Sequence, residues 1–187
     1  VTLDKTLDNE YSQHLLSGKV LPIHFSTFTH SSQVITSIDS NVNVSRALTR
    51  LKSVFVTLSS DATGLREVNN FYHQMSGHTT PGTYDSSKEF EFEMQIGSKK
   101  YPEYPIRSTA EAFYQLRKSL GVHGINAQMD VDAKSYRSDK FVLAIDTEKV
   151  LGASFSGYNS KMGDLLTLKL KKQGSNSMLP AGSNYKL

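Results

Sequence analysis

The 187-residue sequence contains no cysteine and no tryptophan. The absence of thiols excludes disulfide bonds, thiolate metal sites and cysteine nucleophiles, and it fits a reducing compartment. Basic residues exceed acidic ones by only three, 21 against 18, and they are scattered along the chain. Because nucleic-acid binders usually concentrate basic residues on one face, we expect nucleic-acid contact to be weak or absent. No apolar run approaches the roughly 20 residues that a membrane-spanning helix needs.

Apolar and polar residues alternate strictly over residues 89–96. The apolar positions share one face and the glutamates share the other, which predicts a strand with one buried side and one solvated side. From Ser108 the apolar spacing lengthens to the helical period, which predicts a helix over 108–120. Ser108 and Glu111 form a capping box, and Gly121 suits the left-handed residue that ends such a helix.

Weaker patterns divide the remainder of the chain. A short helix is predicted over 8–18, with Asp8 as its N-cap and Gly18 at its end. Residues 59–87 have the character of a long loop, and 97–107 that of a stiff hinge of tyrosines and prolines. Further strands are predicted at 20–28, 32–39, 52–58, 140–146 and 164–171.

About seven strands with long connections, and no alternation of strands with helices, favour an all-β fold. The predicted architecture is an antiparallel jelly-roll sandwich with one or two short helices. We expect residues 1–187 to form a single jelly-roll domain. The sequence starts at Val1 without a methionine, and an alternating pattern begins again near Tyr185. We interpret the chain as a segment of a longer polypeptide.

Groups of histidines and carboxylates are better explained as solvated loops than as metal sites. The first group is His73, His78 and Asp85, and its spacing does not match a zinc site. The second is the pair His24 and His30, which lie about 20 Å apart along a predicted strand, too far for one ion. The third is Asp130, Asp132 and Asp139, which lacks the glycine and the glutamate of a calcium loop.

No catalytic residue is predicted either. Glu89, Glu91 and Glu93 lie about 7 Å apart on one face, near the carboxylate separation of inverting glycosidases, but a solvated strand face gives the same pattern. The sequence contains no nucleotide-binding or hydrolase motif. The basic run from Lys169 to Lys172 is typical of a solvated strand face, although it also suits an acidic partner. We therefore expect a protein that is not an enzyme and has no cofactor or metal.

Several stretches resemble a sequence pattern of viral capsid proteins. The most specific one runs over residues 95–108 and has Tyr101-Pro102-Glu103-Tyr104-Pro105 at its centre. Others lie at 48–57, 110–113, 115–118, 141–150, 155–160 and 163–167. Together they resemble the major capsid proteins of polinton-like viruses and adintoviruses.

That resemblance implies a double jelly-roll subunit, three copies of which form a pseudo-hexagonal capsomer of an icosahedral shell. A chain of this length corresponds to one roll, and the stretches resemble the C-terminal one. A departure from the family is the missing final strand expected after Tyr185, which also leaves open a single-roll relative such as a penton protein. The expected protein is a virion component assembled in the host cell, whose partners are copies of itself and other capsid proteins.

The alternative hypothesis is a viral attachment domain, or a lectin-like β sandwich that binds carbohydrate. A shallow aromatic platform would then be formed by Tyr72, Tyr84, Tyr101 and Tyr104. In the capsid hypothesis, the 59–87 loop and the 97–107 hinge face solvent or a neighbouring subunit.

Overall fold

The computed structural model of the chain is mostly β, with antiparallel strand pairing and two short helices. Its contacts divide the chain into two compact units, residues 1–30 and residues 31–187. The residues described are 4–20, 25–37, 39–60, 78–80, 83–84, 90–122, 129–132, 135–136, 140–148, 157–161, 164–172 and 185–186.

The first unit contains helix α1, Lys5–Leu16. The predicted helix is confirmed but starts earlier than expected, because Asp4 and not Asp8 occupies the N-cap. Gly18 has a positive φ of 72°, as expected of a residue just beyond a helix end. No residue of α1 is buried.

The strand predicted over 20–28 is wrong where the structure describes it. Residues 25–28 have neither helical nor strand structure and are exposed, and residues 21–24 lie outside the described residues. An apolar alternation forms a strand only where a neighbouring strand supplies hydrogen bonds. The recorded strand pairings do not include these residues.

The second unit carries the strands. Four of them form a sheet in the order β2-β10-β7-β8, three form a sheet in the order β1-β11-β4, and β3-β9 and β5-β6 are pairs. The strands are β1 Val34–Ile35, β2 Ser40–Val44, β3 Ser53–Val56, β4 Ser59–Ser60, β5 His78–Thr80, β6 Thr83–Tyr84, β7 Phe90–Ile96, β8 Lys99–Ile106, β9 Leu143–Asp146, β10 Leu166–Lys172 and β11 Tyr185–Lys186.

The four-stranded sheet buries the apolar face that the alternation predicted. Phe92, Met94 and Ile96 on β7 are fully buried, and each lies opposite a leucine of β10. Cross-strand apolar pairs of this kind are the unit of sheet stabilisation. At about 1.5–3 kcal/mol for each large apolar side chain that is removed from water, this face is a major source of stability.

Three strand pairs are nested within one another along the sequence. Strand β1 pairs with β11, β2 pairs with β10, and β3 pairs with β9, all of them antiparallel. The isolated bridge between Leu51 and Tyr158 fits the same order, because it lies just before β3 and between β9 and β10. Early strands therefore pair with late strands in reverse order.

The predicted hinge over 97–107 is wrong, because most of it is strand β8. Gly97 and Ser98 form a tight turn between β7 and β8, with a positive φ of 58° at Gly97. Pro102 and Pro105 cannot donate to a ladder and would be disfavoured in a central strand. Strand β8 is an edge of its sheet, where proline is tolerated.

Other boundaries also differ from the sequence prediction. The strand expected over 32–39 is reduced to β1, and β2 follows it. Strand β2 was missed because serine and asparagine are poor strand formers, and it is held by its pairing with β10. The predicted loop over 59–87 contains strands β4, β5 and β6, and its other residues lie outside those described.

Helix α2, Thr109–Ser119, confirms the helix predicted over 108–120. The Ser108 hydroxyl accepts a hydrogen bond from Glu111 N at 3.2 Å, and Gly121 has a positive φ of 69°. The helix packs against β9, and its buried Ala112 and Leu116 belong to the same hydrophobic core as the four-stranded sheet.

Candidate functional site

A network of hydrogen bonds joins segments that are far apart in the sequence. We call it the polar junction; it is formed by Arg46, Leu48, Leu51, Lys52, Thr147, Tyr158 and Ser160. Leu51 N donates to Tyr158 O at 2.8 Å, and Tyr158 N donates to Leu51 O at 2.9 Å. The junction thereby connects the segment before β3 to the segment before β10.

Two buried hydroxyl groups complete the polar junction. Ser160 Oγ accepts from Leu48 N at 2.9 Å and donates to Arg46 O at 3.0 Å. Thr147 Oγ1 donates to the carbonyl oxygens of Leu51 and Lys52. The partners recorded for both hydroxyls are main-chain atoms, so these side chains fix the backbone.

Tyr158 extends the junction toward the turn between β7 and β8. Its hydroxyl donates to Asp164 Oδ2 at 2.7 Å, and its ring makes an edge contact with Tyr101, with ring centroids 5.9 Å apart. The hydrogen bond to Asp164, followed by burial, raises the pKa of Tyr158 above the usual tyrosine value. A Cβ atom at Gly97 would lie only 2.6 Å from Asp164 Oδ1, so the carboxylate would have to shift if another residue stood there.

Gly157 shows the same close fit on the other side of Tyr158. A Cβ atom there would lie 2.9 Å from Leu51 O, and its φ is +154°. Close approach of two backbones is a recurring reason for glycine in a strand or beside a bridge. The junction therefore depends on backbone contacts as well as on side-chain hydrogen bonds.

The solvated side of the four-stranded sheet carries a second cluster, which we call the charged face. It surrounds a shallow depression of about 530 Å³ and contains Glu91, Glu93, Lys100, Arg107, Lys169 and Lys171.

Ion pairs connect the members of the charged face. Arg107 Nε lies 3.0 Å from Glu91 Oε1, and Glu93 Oε1 lies 3.3 Å from Lys100 Nζ and 3.7 Å from Lys169 Nζ. The glutamate side chains are more enclosed than the cations around them, at 13% exposure for Glu93 against 50% for Lys100. Both carboxylates are engaged by cations, an arrangement that holds neighbouring strands together across the sheet.

Among the candidates weighed from the sequence, those that the structure describes do not form one cluster. His30, Asp130 and Asp132 are exposed, and Lys171 is an exposed member of the charged face. Tyr101 contacts Tyr158, whereas Tyr104 on the same strand is 76% exposed. The remaining candidates lie outside the described residues or have no described side chain: His24, Tyr72, His73, His78, Tyr84, Asp85, Glu89, Asp139 and Lys172.

The described parts of the chain show neither a metal-binding cluster nor a helix that could span a membrane. There, no group of three or more histidine, cysteine, aspartate or glutamate side chains is placed to hold a metal ion. Neither helix has the length and apolar character needed to cross a bilayer.

No protein-family model, curated protein or solved structure matches this chain.

Sequence reasoning did not single out the polar junction. Ser160 and Thr147 are small polar residues in segments without a periodic pattern, and their burial depends on contacts with residues 48–52. The available signals were Gly97 and Gly157, since a glycine beside a strand indicates a tight turn or a close backbone approach.

Proposed function

We propose that this chain is a viral capsid structural protein with a jelly-roll topology, and that it self-assembles into trimeric capsomers of an icosahedral shell. The observation that carries the proposal is the nested pairing of early strands with late strands. A jelly roll is a long antiparallel ribbon wound on itself, and such a ribbon pairs strands from its two ends in reverse order. The pairs β1–β11, β2–β10 and β3–β9 have that order.

The contact between β10 and β7 supports the same topology. Winding a ribbon into a roll brings a late strand beside a strand from the middle of the chain. Strand β10 has β2 on one side and β7 on the other. The edge position next to β7 is taken by β8, its hairpin partner, which is the innermost pair of such a ribbon.

The stretches that resemble capsid proteins coincide with elements that hold the fold together. They include the turn and strand β8, helix α2, strand β9 and both sides of the Leu51–Tyr158 bridge. A resemblance concentrated in the core and the polar junction indicates shared architecture. It agrees with a role in which shape and association, and not chemistry at a pocket, are the functional properties.

The topology is tested by disulfide cross-linking, because the chain has no native cysteine. Asn43 and Thr167 are register partners on β2 and β10, and their side chains lie 3.0 Å apart. The pair Asn43→Cys with Thr167→Cys is expected to form an intramolecular disulfide, since partners in an antiparallel ladder have Cα atoms about 4.5–5.5 Å apart. The control pair, Asn43→Cys with Lys171→Cys, lies four positions out of register and is expected to remain reduced.

Assembly is tested by measuring the mass of the intact protein over a range of concentrations. Light scattering coupled to size-exclusion chromatography is expected to give a species of three times the 20.8 kDa monomer, and electron microscopy is expected to show shell-like particles. A monomer at every concentration, without particles in any buffer, contradicts the capsid role. Saturable binding to a glycan array would favour the attachment or lectin-like alternative.

A further inference from the structure

Cations outnumber carboxylates around the depression of the charged face. Its charged lining residues are Lys100, Arg107, Lys169 and Lys171 against Asp39, Glu91 and Glu93. All of them belong to the second unit of the chain. The volume of about 530 Å³ lies within the range of small-ligand sites, about 300–1,000 Å³. The depression therefore combines the size of a small-ligand site with an excess of positive charge.

Glu93 shares its carboxylate between two cations from different strands. Lys169 lies opposite it on β10, with Nζ 3.7 Å from Glu93 Oε1, and Lys100 Nζ of β8 lies 3.3 Å from the same oxygen. Lys169 Nζ also donates to Gln95 Oε1 at 2.6 Å, which fixes its position. The glutamate side chain is 13% exposed, whereas those of the two lysines are 35% and 50% exposed. One carboxylate neutralises only one of the two lysines, and a ligand meets the lysines first.

The same arrangement is repeated one step along β7. Lys171 is exposed and lies opposite Glu91 on β10, and Arg107 Nε, just beyond β8, lies 3.0 Å from Glu91 Oε1. The arginine side chain is 62% exposed and that of the glutamate only 18%. Because Glu91 and Glu93 are two positions apart on one strand face, the two pairs of cations are separated by about 7 Å along the sheet.

A serine hydroxyl on the wall of the depression supplies a second observation. Ser40 lines the depression, and its hydroxyl oxygen is enclosed without a hydrogen-bond partner in the part of the chain that the structure describes. A bound water or ion commonly satisfies such a group. The depression thus contains a polar group that the ion pairs of the charged face do not use.

We propose that the charged face binds a small ligand that carries two phosphate groups about 7 Å apart. The cations beside each glutamate come from strands on the two sides of β7, about 10 Å apart. A phosphate group presents three acceptor oxygens around one centre and can accept from both sides, whereas a carboxylate presents two oxygens in one plane. Arginine and lysine are also the usual phosphate-binding side chains. This binding role goes beyond the capsid role and does not depend on it.

The experiment measures the binding of tripolyphosphate to the intact chain by isothermal titration calorimetry at low ionic strength. In this probe, two terminal phosphates are joined through a third. The wild type is expected to form a one-to-one complex that added salt weakens. Inorganic phosphate is expected to bind at least about 10-fold more weakly, because it occupies only one of the two positions. A wild type that does not bind tripolyphosphate, or that binds inorganic phosphate equally well, contradicts the proposal.

Two double variants remove equal charge from different places. Arg107→Gln with Lys171→Gln is expected to weaken tripolyphosphate binding at least about 10-fold. The matched control is Lys118→Gln with Lys161→Gln, two cations of the second unit outside the lining of the depression. It is expected to bind within about 2-fold of the wild type, because exposed charges far from a site are screened. Equal losses in both variants would indicate non-specific attraction to a positively charged protein and overturn the proposal.

A single variant keeps the test independent of folding. Lys171→Gln leaves the ion pairs of Arg107, Lys100 and Lys169 in place and is expected to weaken binding by about 3-fold or more. Circular dichroism and urea unfolding check that the variant is as stable as the wild type. Unchanged affinity in this folded variant contradicts the proposal.

Glu93→Gln separates a binding role from a purely structural network of ion pairs. It removes the carboxylate that competes with the ligand for Lys100 and Lys169, so tripolyphosphate is expected to bind at least about 3-fold more tightly. A network that only holds the strands together predicts no gain, and unchanged or weaker binding overturns the proposal. A tetraglutamate peptide and a short oligothymidylate test the other anions. Tighter binding of either one than of tripolyphosphate would identify an acidic peptide or a nucleic acid as the ligand and also overturn it.

Discussion

Replacement of Gly97 with alanine is expected to disturb the turn and the polar junction together. The new Cβ atom would lie 2.6 Å from Asp164 Oδ1 and 3.0 Å from Asp164 Cγ, so the carboxylate has to move. Asp164 Oδ2 is the acceptor for the Tyr158 hydroxyl at 2.7 Å. A rotation that relieves the clash therefore weakens that hydrogen bond. The alanine must also adopt the positive φ of 58° that the turn requires.

The two effects have separate magnitudes. The left-handed backbone costs a residue with a Cβ atom about 1–2 kcal/mol. Loss of the hydrogen bond costs about 1–3 kcal/mol, because the acceptor is a charged carboxylate. We therefore expect Gly97→Ala to lower the free energy of unfolding by about 2–5 kcal/mol, a large fraction of the stability of a typical domain.

A double-mutant cycle measured by urea unfolding separates these contributions. In an Asp164→Ala background, the clash and the hydrogen bond are both absent, so Gly97→Ala is expected to cost only the backbone part. The coupling free energy between the two positions is expected to equal the hydrogen-bond part, about 1–3 kcal/mol. Tyr158→Phe removes the same hydrogen bond without changing the turn. Equal costs of Gly97→Ala with and without Asp164 would refute the proposed contact.

Three further predictions concern the polar junction, the hydrophobic core and the stability of the fold at alkaline pH. Ser160→Ala leaves Leu48 N and nearby carbonyl oxygens without a hydroxyl partner and is expected to cost about 1–3 kcal/mol in denaturant unfolding. Phe92→Ala, at a fully buried position, is expected to cost about 3–5 kcal/mol, whereas Tyr104→Ala at an exposed position stays within about 0.5 kcal/mol. Burial raises the pKa of Tyr136 well above the usual tyrosine value. Its stabilising contribution is therefore complete below about pH 10 and is lost as pH rises toward the raised pKa, so Tyr136→Phe is expected to flatten the alkaline part of a stability–pH profile.

Local signals were sufficient for the strongest elements of the fold. The alternation around Phe92 and the capping pair Ser108 and Glu111 predicted β7 and α2 because neighbouring residues determine both patterns. Strands β3, β9 and β10 were also predicted, with differences at their ends. All these elements bury a regular apolar pattern, which is the feature that a single sequence displays most clearly.

Elements that depend on distant partners were not predicted. Strand β2 is held by its pairing with β10, and β8 is a strand because it lies at a sheet edge that tolerates Pro102 and Pro105. The apolar pattern near Phe25 indicated a strand, but the structure gives those residues no strand pairing. For the same reason, the burial of Ser160 and Thr147 follows from the assembled fold and not from the segments that contain them.

The nested strand pairing has a consequence for how the protein acquires its structure during synthesis. The hydrogen bond from Leu48 N to Ser160 Oγ joins residues 112 positions apart, so it can form only after Ser160 has been synthesised. Chains dominated by such distant pairings fold slowly compared with helical proteins of similar size. The nascent chain is thus expected to hold strand β2 unpaired until β10 leaves the ribosome.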